Sequence, residues 1–334
     1  MRLMLSLITL ALLIVAVPAT GFAACGGRDL MRDLQAEDPE AHRALLDRAQ
    51  QTPNASGKFW QVSRPGTAPS HLFGTFHDTE AHDLIGPEIW DVLSESEAAL
   101  FELSLAEEQR MQADMAARPM ELLYDVTQVP LSERLSSGQK VQIEAALAER
   151  GIPFAAAEQM RGWMLVALLG FPACQVEELQ AGAPSLDQRL ARFAVAQGLG
   201  EGGLETYEQS LAAIETLPFE EFAQASGEIG EGRAVEEDLR RTRLALYASG
   251  DIMAISEFGI WYSEQQGLSD ARAMTDRFFE AALTQRNIAW LERLLPALEA
   301  GNTFVAVGAL HLPGESGLVE LLRQRGWTVT RLDG

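Results

Sequence analysis

The sequence predicts an α/β (α+β) fold, with a mixed sheet formed by the amino- and carboxy-terminal segments and a large helical insert between them. Short apolar runs typical of strands occur over residues 58–103 and 303–330, whereas the pattern over about 105–300 is overwhelmingly helical. The chain has 334 residues, of which 47% are hydrophobic, and this suits a substantial core. A globally disordered chain is therefore excluded.

Residues 1–24 have the pattern of a signal peptide. An apolar run over residues 3–17 follows one charged residue, and the run is too short to favour a membrane span. The small residues Gly21 and Ala23 suit a cleavage site. We therefore predict an exported, periplasmic protein whose mature part, residues 25–334, is a single domain without a transmembrane span.

Cys25 and Cys174 are the two cysteines of the chain. In an oxidising compartment they predict one disulfide, which would tie the start of the mature chain to its middle. A second interpretation is a lipoprotein cleavage box over residues 22–25, which would leave Cys25 acylated as a lipid anchor. The two interpretations exclude each other, because acylation uses the Cys25 sulfur.

The chain is strongly acidic, with 26 Lys and Arg residues against 48 Asp and Glu residues and a formal net charge of −22. A surface of this sign repels the phosphates of nucleic acids and the headgroups of anionic lipids. We therefore expect no nucleic-acid partner.

The amino-terminal part of the mature chain predicts a helix, a hairpin, a second helix and a strand, in that order. An apolar stripe predicts a helix over residues 28–50. Residues 58–62 and 71–75 alternate as strands and are separated by a turn signal, which is typical of a hairpin. A helix over 87–96 starts with proline, and the apolar run 98–103 then predicts a buried strand.

Helices dominate the insert, and the chain closes with strand, helix and strand. A capping box predicts a helix that begins near Ser185 and stops at Gly198. A further helix is predicted over about 286–299. The last three elements are predicted as a strand over 303–308, a helix over 317–325 and a strand over 327–330.

Two Gly-x-x-His segments carry the clearest chemical signal. Residues 74–77 are Gly-Thr-Phe-His and residues 308–311 are Gly-Ala-Leu-His, and both follow an apolar strand. Glycine permits a tight turn, and ligands of α/β proteins bind at the ends of strands. We therefore expect His77 and His311 to face each other at one edge of the sheet.

Glu102 is the expected third member of this site, since it lies at the end of a buried strand where an unpaired carboxylate is costly. Two imidazoles and one carboxylate form a common ligand set for a divalent transition metal. A buried Glu–Arg pair explains the same residue equally well, so both interpretations stay open.

Several segments resemble the TraB/PrgY/GumN family, which includes the Tiki proteins. The most specific is residues 305–314, and residues 74–77 and 101–103 also fit. Weaker matches occur at residues 204–206 and at Arg286-Asn287. The resemblance extends from about Lys58 to Leu332 and implies an EreA/ChaN/Tiki-like fold.

The resemblance also implies a metal-dependent hydrolase. In that role His77 and His311 are metal ligands, and Glu102 is a ligand or general base. Glu205 is a further acidic candidate, and Arg286 would steady an oxyanion or a substrate carboxylate. An ordinary arginine on a helix surface is the alternative for Arg286.

The expected function is therefore that of an exported hydrolase of peptidase or esterase type that uses Mn, Co or Zn. Its expected partner is an unidentified peptide or small-molecule substrate. The chain has no Gly-x-Ser-x-Gly or His-Glu-x-x-His motif, so neither a serine-elbow hydrolase nor a zincin is predicted. The alternative is a non-catalytic periplasmic protein that binds a metal or another ligand.

Overall fold

A computed structural model describes residues 25–216, 219, 220, 223 and 229–333. The signal peptide predicted for residues 1–24 lies outside these described residues. Among the described residues, no helix combines the length and the apolar composition that crossing a bilayer requires.

The described residues form a mixed sheet of six strands in the order β4-β3-β5-β2-β1-β6. Its outer strand β6 pairs antiparallel with β1, and β1 pairs antiparallel with β2, which confirms the predicted hairpin. The prediction of a sheet built from both ends of the chain is also confirmed. The strands are β1 (Phe59–Ser63), β2 (Ser70–Thr75), β3 (Ala98–Phe101), β4 (Gly200–Gly203), β5 (Thr303–Gly308) and β6 (Thr328–Arg331).

The other four strands, β4, β3, β5 and β2, are consecutive in the sheet and parallel to one another. Parallel strands end at the same edge, so four loops leave the sheet side by side. This edge is where α/β sheets place ligands. We call it the carboxyl edge.

Strand β5 is buried at every position, which explains its unbroken apolar sequence. Phe304 and Ala306 face one hydrophobic cluster, which contains residues of both amino-terminal helices. Val305 and Val307 face the opposite cluster, with Trp290. Alternate side chains of one strand therefore join two helical layers to the sheet.

Helices cover both faces of the sheet and fill the insert. Two short 3₁₀ turns, Ala81–Leu84 and Ala309–His311, follow β2 and β5, and a π-helical segment, Glu280–Thr284, precedes α16. The α-helices are α1 (Leu30–Glu37), α2 (Pro39–Ala49), α3 (Pro87–Glu95), α4 (Leu105–Ala117), α5 (Pro119–Leu122), α6 (Leu131–Arg134), α7 (Ser137–Glu149), α8 (Phe154–Ala157), α9 (Gly162–Leu169), α10 (Ala173–Gln180), α11 (Leu186–Ala196), α12 (Tyr207–Glu215), α13 (Arg233–Ser249), α14 (Ile252–Gln265), α15 (Ala271–Phe279), α16 (Gln285–Ala300) and α17 (Leu318–Gln324).

Part of the insert has its own hydrophobic cluster, separate from the two that cover the sheet. Leu131, Ile143 and Leu147 pack there with Leu165 and Phe219, all of them buried. Helices α6 to α9 therefore pack mainly on one another rather than on the sheet.

Three predictions of local structure need correction. The helix predicted over 28–50 is two helices, because Asp38 caps the second and Pro39 begins it. The strand predicted over 98–103 ends at Phe101. The insert contains a strand, β4, that its sequence does not indicate, since three of its four residues are glycine.

Cys25 and Cys174 are joined by a disulfide, with their Cα atoms 5.6 Å apart and a sequence separation of 149. The pairing agrees with the disulfide interpretation of the two cysteines. This bond uses the Cys25 sulfur, so in the structure that sulfur is not available for the alternative, acylation.

Candidate functional site

Four predicted site residues lie just beyond the ends of the four parallel strands. Glu102 follows the last residue of β3 directly, and Glu205 and His77 stand two residues after β4 and β2. His311 stands three residues after β5. Residues far apart in sequence therefore meet at the carboxyl edge because neighbouring parallel strands end there.

The glycines of the two Gly-x-x-His segments permit close approach at this edge. A Cβ atom on Gly308 would lie 3.2 Å from Glu102 Oε1 and 3.3 Å from His77 Nε2. A Cβ atom on Gly74 would lie 2.9 Å from the Cα atom of Ala309. A side chain at either position would therefore push the site residues apart.

Both imidazoles face one oxygen of Glu102. The Nε2 atoms of His77 and His311 lie 3.9 Å and 3.7 Å from Glu102 Oε1. The His77 side chain is 52% exposed, whereas that of His311 is 4% exposed. Solvent therefore reaches the site from the side of His77.

Asp187, at the start of α11, holds the ring of His77. Its Oδ2 atom lies 2.9 Å from His77 Nδ1, and its Oδ1 atom accepts a hydrogen bond from the Thr75 hydroxyl. The negative charge of Asp187 raises the pKa of His77 to about 9. The cation-free imidazole is therefore protonated at neutral pH.

Asn287, in α16, sets the tautomer of His311. The Asn287 Nδ2 atom donates to the carbonyls of His311 and Ser316, which leaves Oδ1 to accept from His311 Nδ1 at 2.6 Å. Burial lowers the pKa of His311 to about 3, so its ring is neutral. The lone pair of a neutral ring protonated at Nδ1 lies on Nε2, on the side that faces Glu102.

Arg286 joins the two glutamates of the site. Its Nη2 atom donates to Glu102 Oε2 at 2.7 Å and to Glu205 Oε1 at 2.6 Å. The Trp290 indole donates to the other oxygen of Glu205 at 2.9 Å. The alternative of a surface arginine is therefore wrong, because the Arg286 side chain is only 14% exposed and is paired with two carboxylates.

Every N–H of Arg286 has an acceptor. Its Nε atom donates to Glu205, and its Nη1 atom contacts the carbonyl of Ala282 at 3.0 Å and His311 Nε2 at 3.3 Å. The guanidinium therefore has no free donor for a substrate carboxylate in this structure. Its role with an oxyanion stays a prediction.

Glu102 is held as a carboxylate. Burial opposes its charge, but Arg286, the protonated His77 and a 2.7 Å hydrogen bond from the Gly308 N–H keep its pKa well below the usual range. Such a group is a poor base and a good ligand. The buried Glu–Arg pair considered from sequence is present, and Oε1 still faces both histidines.

The two Nε2 atoms and the Glu102 carboxylate oxygen are of the chemical types that bind divalent cations. Metal-ligating histidines commonly use Nε2 while a carboxylate or carbonyl holds Nδ1, as Asp187 and Asn287 do here. As they stand, the described side chains form no group of three or more His, Cys, Asp or Glu at metal-binding distances. The hydrogen bond from Arg286 to His311 also has to open before the His311 lone pair can bind a cation.

Sequence reasoning misses Asp187, Asn287 and Trp290 as site residues. Asp187 lies inside the capping box that opens α11, and Asn287 follows Arg286 in the segment that carried the family resemblance. Neither signal indicates a contact with a histidine, because those contacts depend on how α11 and α16 pack at the carboxyl edge.

A cleft of about 870 Å³ adjoins this network and is lined by Glu205, Arg286 and Trp290. Four alanines from α12, the π-helical segment and α16 also line it, together with charged side chains of α15, the π-helical segment and α16, so its wall combines apolar and charged surface. Such a cleft suits a small organic or peptide ligand.

Comparison with known proteins supports the resemblance found in the sequence. The profile of the TraB/PrgY/gumN family matches residues 58–331. The chain is also 24% identical over 268 residues to a protein described as uncharacterized protein YbaP from Shigella flexneri, and equally to that from Escherichia coli strain K12. Each alignment covers 78% of this chain and 90% of the relative. Both Gly-x-x-His segments lie within the matched residues, as do strands β2 and β5, which lead into them. The chain belongs to the TraB/PrgY/gumN family.

Proposed function

We propose that this protein is an exported, divalent-metal-dependent hydrolase of peptidase or esterase type. The observation that carries the proposal is the orientation of two histidines from opposite ends of the sequence. Both direct Nε2 towards one oxygen of Glu102, and each Nδ1 contacts a second polar side chain. A site with this donor set and open positions suits Mn, Co or Zn.

His77, His311 and Glu102 Oε1 would hold the cation. When bound, it would supply Lewis acidity towards a scissile carbonyl and towards water. Asp187 and Asn287 keep the two rings oriented, and Gly308 orients the carboxylate through its N–H.

Arg286 would stabilise negative charge that develops on the substrate carbonyl. Glu205 and Trp290 keep its guanidinium beside the histidines, so the positive charge is in place before reaction. The Nη1 donor now bonded to His311 is the one that becomes available when His311 takes another partner. Glu205 therefore positions Arg286, and its hydrogen bonds oppose a role as general base.

Export is supported by the disulfide, since such bonds persist in oxidising compartments and are rare in the cytosol. The leader predicted over residues 1–24 agrees with this location.

A ligand-binding protein without turnover is the second candidate function. The observation that favours it is the complete pairing of Arg286, which bonds to both Glu102 and Glu205 without any added cation. A site of this kind holds a ligand beside the cleft and needs no open metal position.

A hydrolysis assay separates the two candidates. Chelated protein is incubated with nitrophenyl esters and fluorogenic peptides, with and without added Mn, Co or Zn. We expect cation-dependent hydrolysis that falls at least about a hundredfold in His77→Ala, His311→Ala and Glu102→Gln. The control is His42→Ala on α2. Cation binding without hydrolysis of either substrate class would favour the binding protein instead.

A further inference from the structure

The segment that carries His77 leaves the sheet and is held from outside by α10. Gln175 Nε2 donates a hydrogen bond to the backbone carbonyl of His77 at 2.7 Å. Gln175 is 2% exposed, so this bond is shielded from water. Asp187 fixes the ring of His77, and Gln175 fixes its backbone.

Gln175 is the next residue after Cys174, whose sulfur is bonded to Cys25. Cys25 is itself anchored beside α13. The N–H groups of Gly26 and Arg28 donate to Glu237 at 3.1 Å and Asp238 at 2.7 Å. The disulfide therefore ties the first turn of α10 to a second helix through the amino-terminal segment.

The residues after His77 are held by the same two helices. Glu178, one turn along α10 from Cys174, accepts a hydrogen bond from the Thr79 hydroxyl. Arg240 of α13 donates to both oxygens of Asp78 at 2.7 Å and to Glu178 at 3.3 Å. The segment 77–79 is thus anchored mainly from α10 and α13, and α11 adds Asp187 on the ring of His77 and the Leu186 N–H, which donates to the carbonyl of Asp78 at 3.2 Å.

We propose that Gln175 is a positioning residue for His77 and that the Cys25–Cys174 disulfide acts on the candidate site through it. The disulfide holds the start of α10, and Gln175 transmits that constraint to the backbone of the exposed histidine. His311 needs no such support, because β5 and Asn287 hold it inside the core. The part of this inference that concerns cation binding rests on the proposed function, whereas the part that concerns the backbone does not.

Hydrogen exchange tests the backbone part directly. Gln175→Met keeps the length and apolar stem of the side chain and removes the donor. We expect amides of residues 76–80 to exchange about tenfold faster, since one shielded hydrogen bond is lost. The matched control is Gln128→Met, which removes a 2.8 Å bond from another glutamine to the carbonyl of Met160. Unchanged exchange over 76–80 in Gln175→Met would overturn the proposal.

A double-mutant cycle tests the link to the disulfide. Cys25→Ala/Cys174→Ala should raise exchange over residues 76–80 to a similar extent, and adding Gln175→Met should produce little further increase. Effects that add fully would show that the disulfide and Gln175 act separately and would contradict the link. Should the disulfide-free variant fail to fold, Gln175→Met keeps the disulfide and still decides the positioning role.

Titration with Co²⁺ measures cation affinity and visible absorption, which loss of Gln175 would not change if its hydrogen bond served only the stability of the fold. We expect Gln175→Met to bind Co²⁺ about ten- to a hundredfold more weakly than wild type and to change its visible absorption, with Gln128→Met unaffected. Equal affinity and spectra in both variants would overturn the positioning role. If wild-type protein binds no Co²⁺, the metal proposal fails, and the exchange experiment still decides this inference on its own.

Discussion

Asn287 fixes the tautomer of His311. The carboxamide donates to two carbonyls, one of them that of His311 itself, so its oxygen has to accept from the ring at 2.6 Å. The lone pair of His311 is thereby directed towards Glu102 and Arg286. The chemistry of a residue at the end of β5 depends in this way on a side chain of α16.

Replacing Asn287 should weaken cation binding more than it weakens the fold. Asn287→Ala frees the ring to change tautomer, and loss of a comparable contact to a metal ligand costs about ten- to a hundredfold in affinity. Calorimetric titration with Mn²⁺ or Zn²⁺ measures the effect, and thermal unfolding in chelator provides the control. Unchanged affinity would show that Asn287 does not orient a ligand.

Replacing Asp187 should lower the pKa of His77 in protein that a chelator keeps free of metal. The wild-type value of about 9 is raised chiefly by the charge of Asp187, so Asp187→Asn should return it towards the ordinary value of about 6.5. NMR titration of the ring protons measures this directly. A value that stays near 9 would contradict the assignment of its cause.

The same pair predicts the pH dependence of stability in chelated protein. Because folding raises the pKa of His77, the Asp187 pair contributes fully below about pH 6.5, and its contribution is lost as the pH rises through about 9. The difference in unfolding free energy between wild type and Asp187→Asn should therefore shrink over that range. Solvent screening keeps the difference small, since His77 is 52% exposed. Denaturant titrations at several pH values check the trend, and a difference that grows with pH would contradict it.

A methyl group on Gly308 should damage the site without unfolding the protein. The added Cβ would meet both Glu102 Oε1 and His77 Nε2 closer than ordinary contact distance, so these donors have to separate. We expect Gly308→Ala to weaken Mn²⁺ binding by at least about tenfold. The control is Gly259→Ala inside α14, where a Cβ meets nothing within 4 Å and helix propensity should add about 0.5–1 kcal/mol of stability.

Removing Arg286 should destabilise the fold because it leaves two buried carboxylates without their partner. We expect Arg286→Met to lower the free energy of unfolding by about 3 kcal/mol. Arg293→Met, which loses one exposed bond to the Gly203 carbonyl, should change it by no more than about 0.5 kcal/mol. Chemical denaturation of both variants checks this, and equal effects would mean that the Arg286 network is not a structural centre.

Much of the edge geometry can be predicted from sequence because strand ends are local features. His77, Glu102 and His311 each follow an apolar run, and parallel strands bring such ends together. Strand β4 cannot be predicted in the same way, since its glycine-rich sequence has no strand pattern and forms only by pairing with β3. The residues that orient the histidines cannot be predicted from the sequence for a related reason. Asp187 and Asn287 lie on helices, and a helical pattern does not specify which polar side chain will meet a loop from another element.

Metal content tests the central claim most directly, namely that His77, His311 and Glu102 form one cation site. Protein purified without chelator is analysed by plasma mass spectrometry as wild type, His77→Ala, His311→Ala and the control His42→Ala. The proposal predicts about one divalent ion per chain in wild type and control, and loss of that ion in both site variants. Absence of bound metal in wild type, together with no uptake after reconstitution with Mn, Co or Zn, would contradict it.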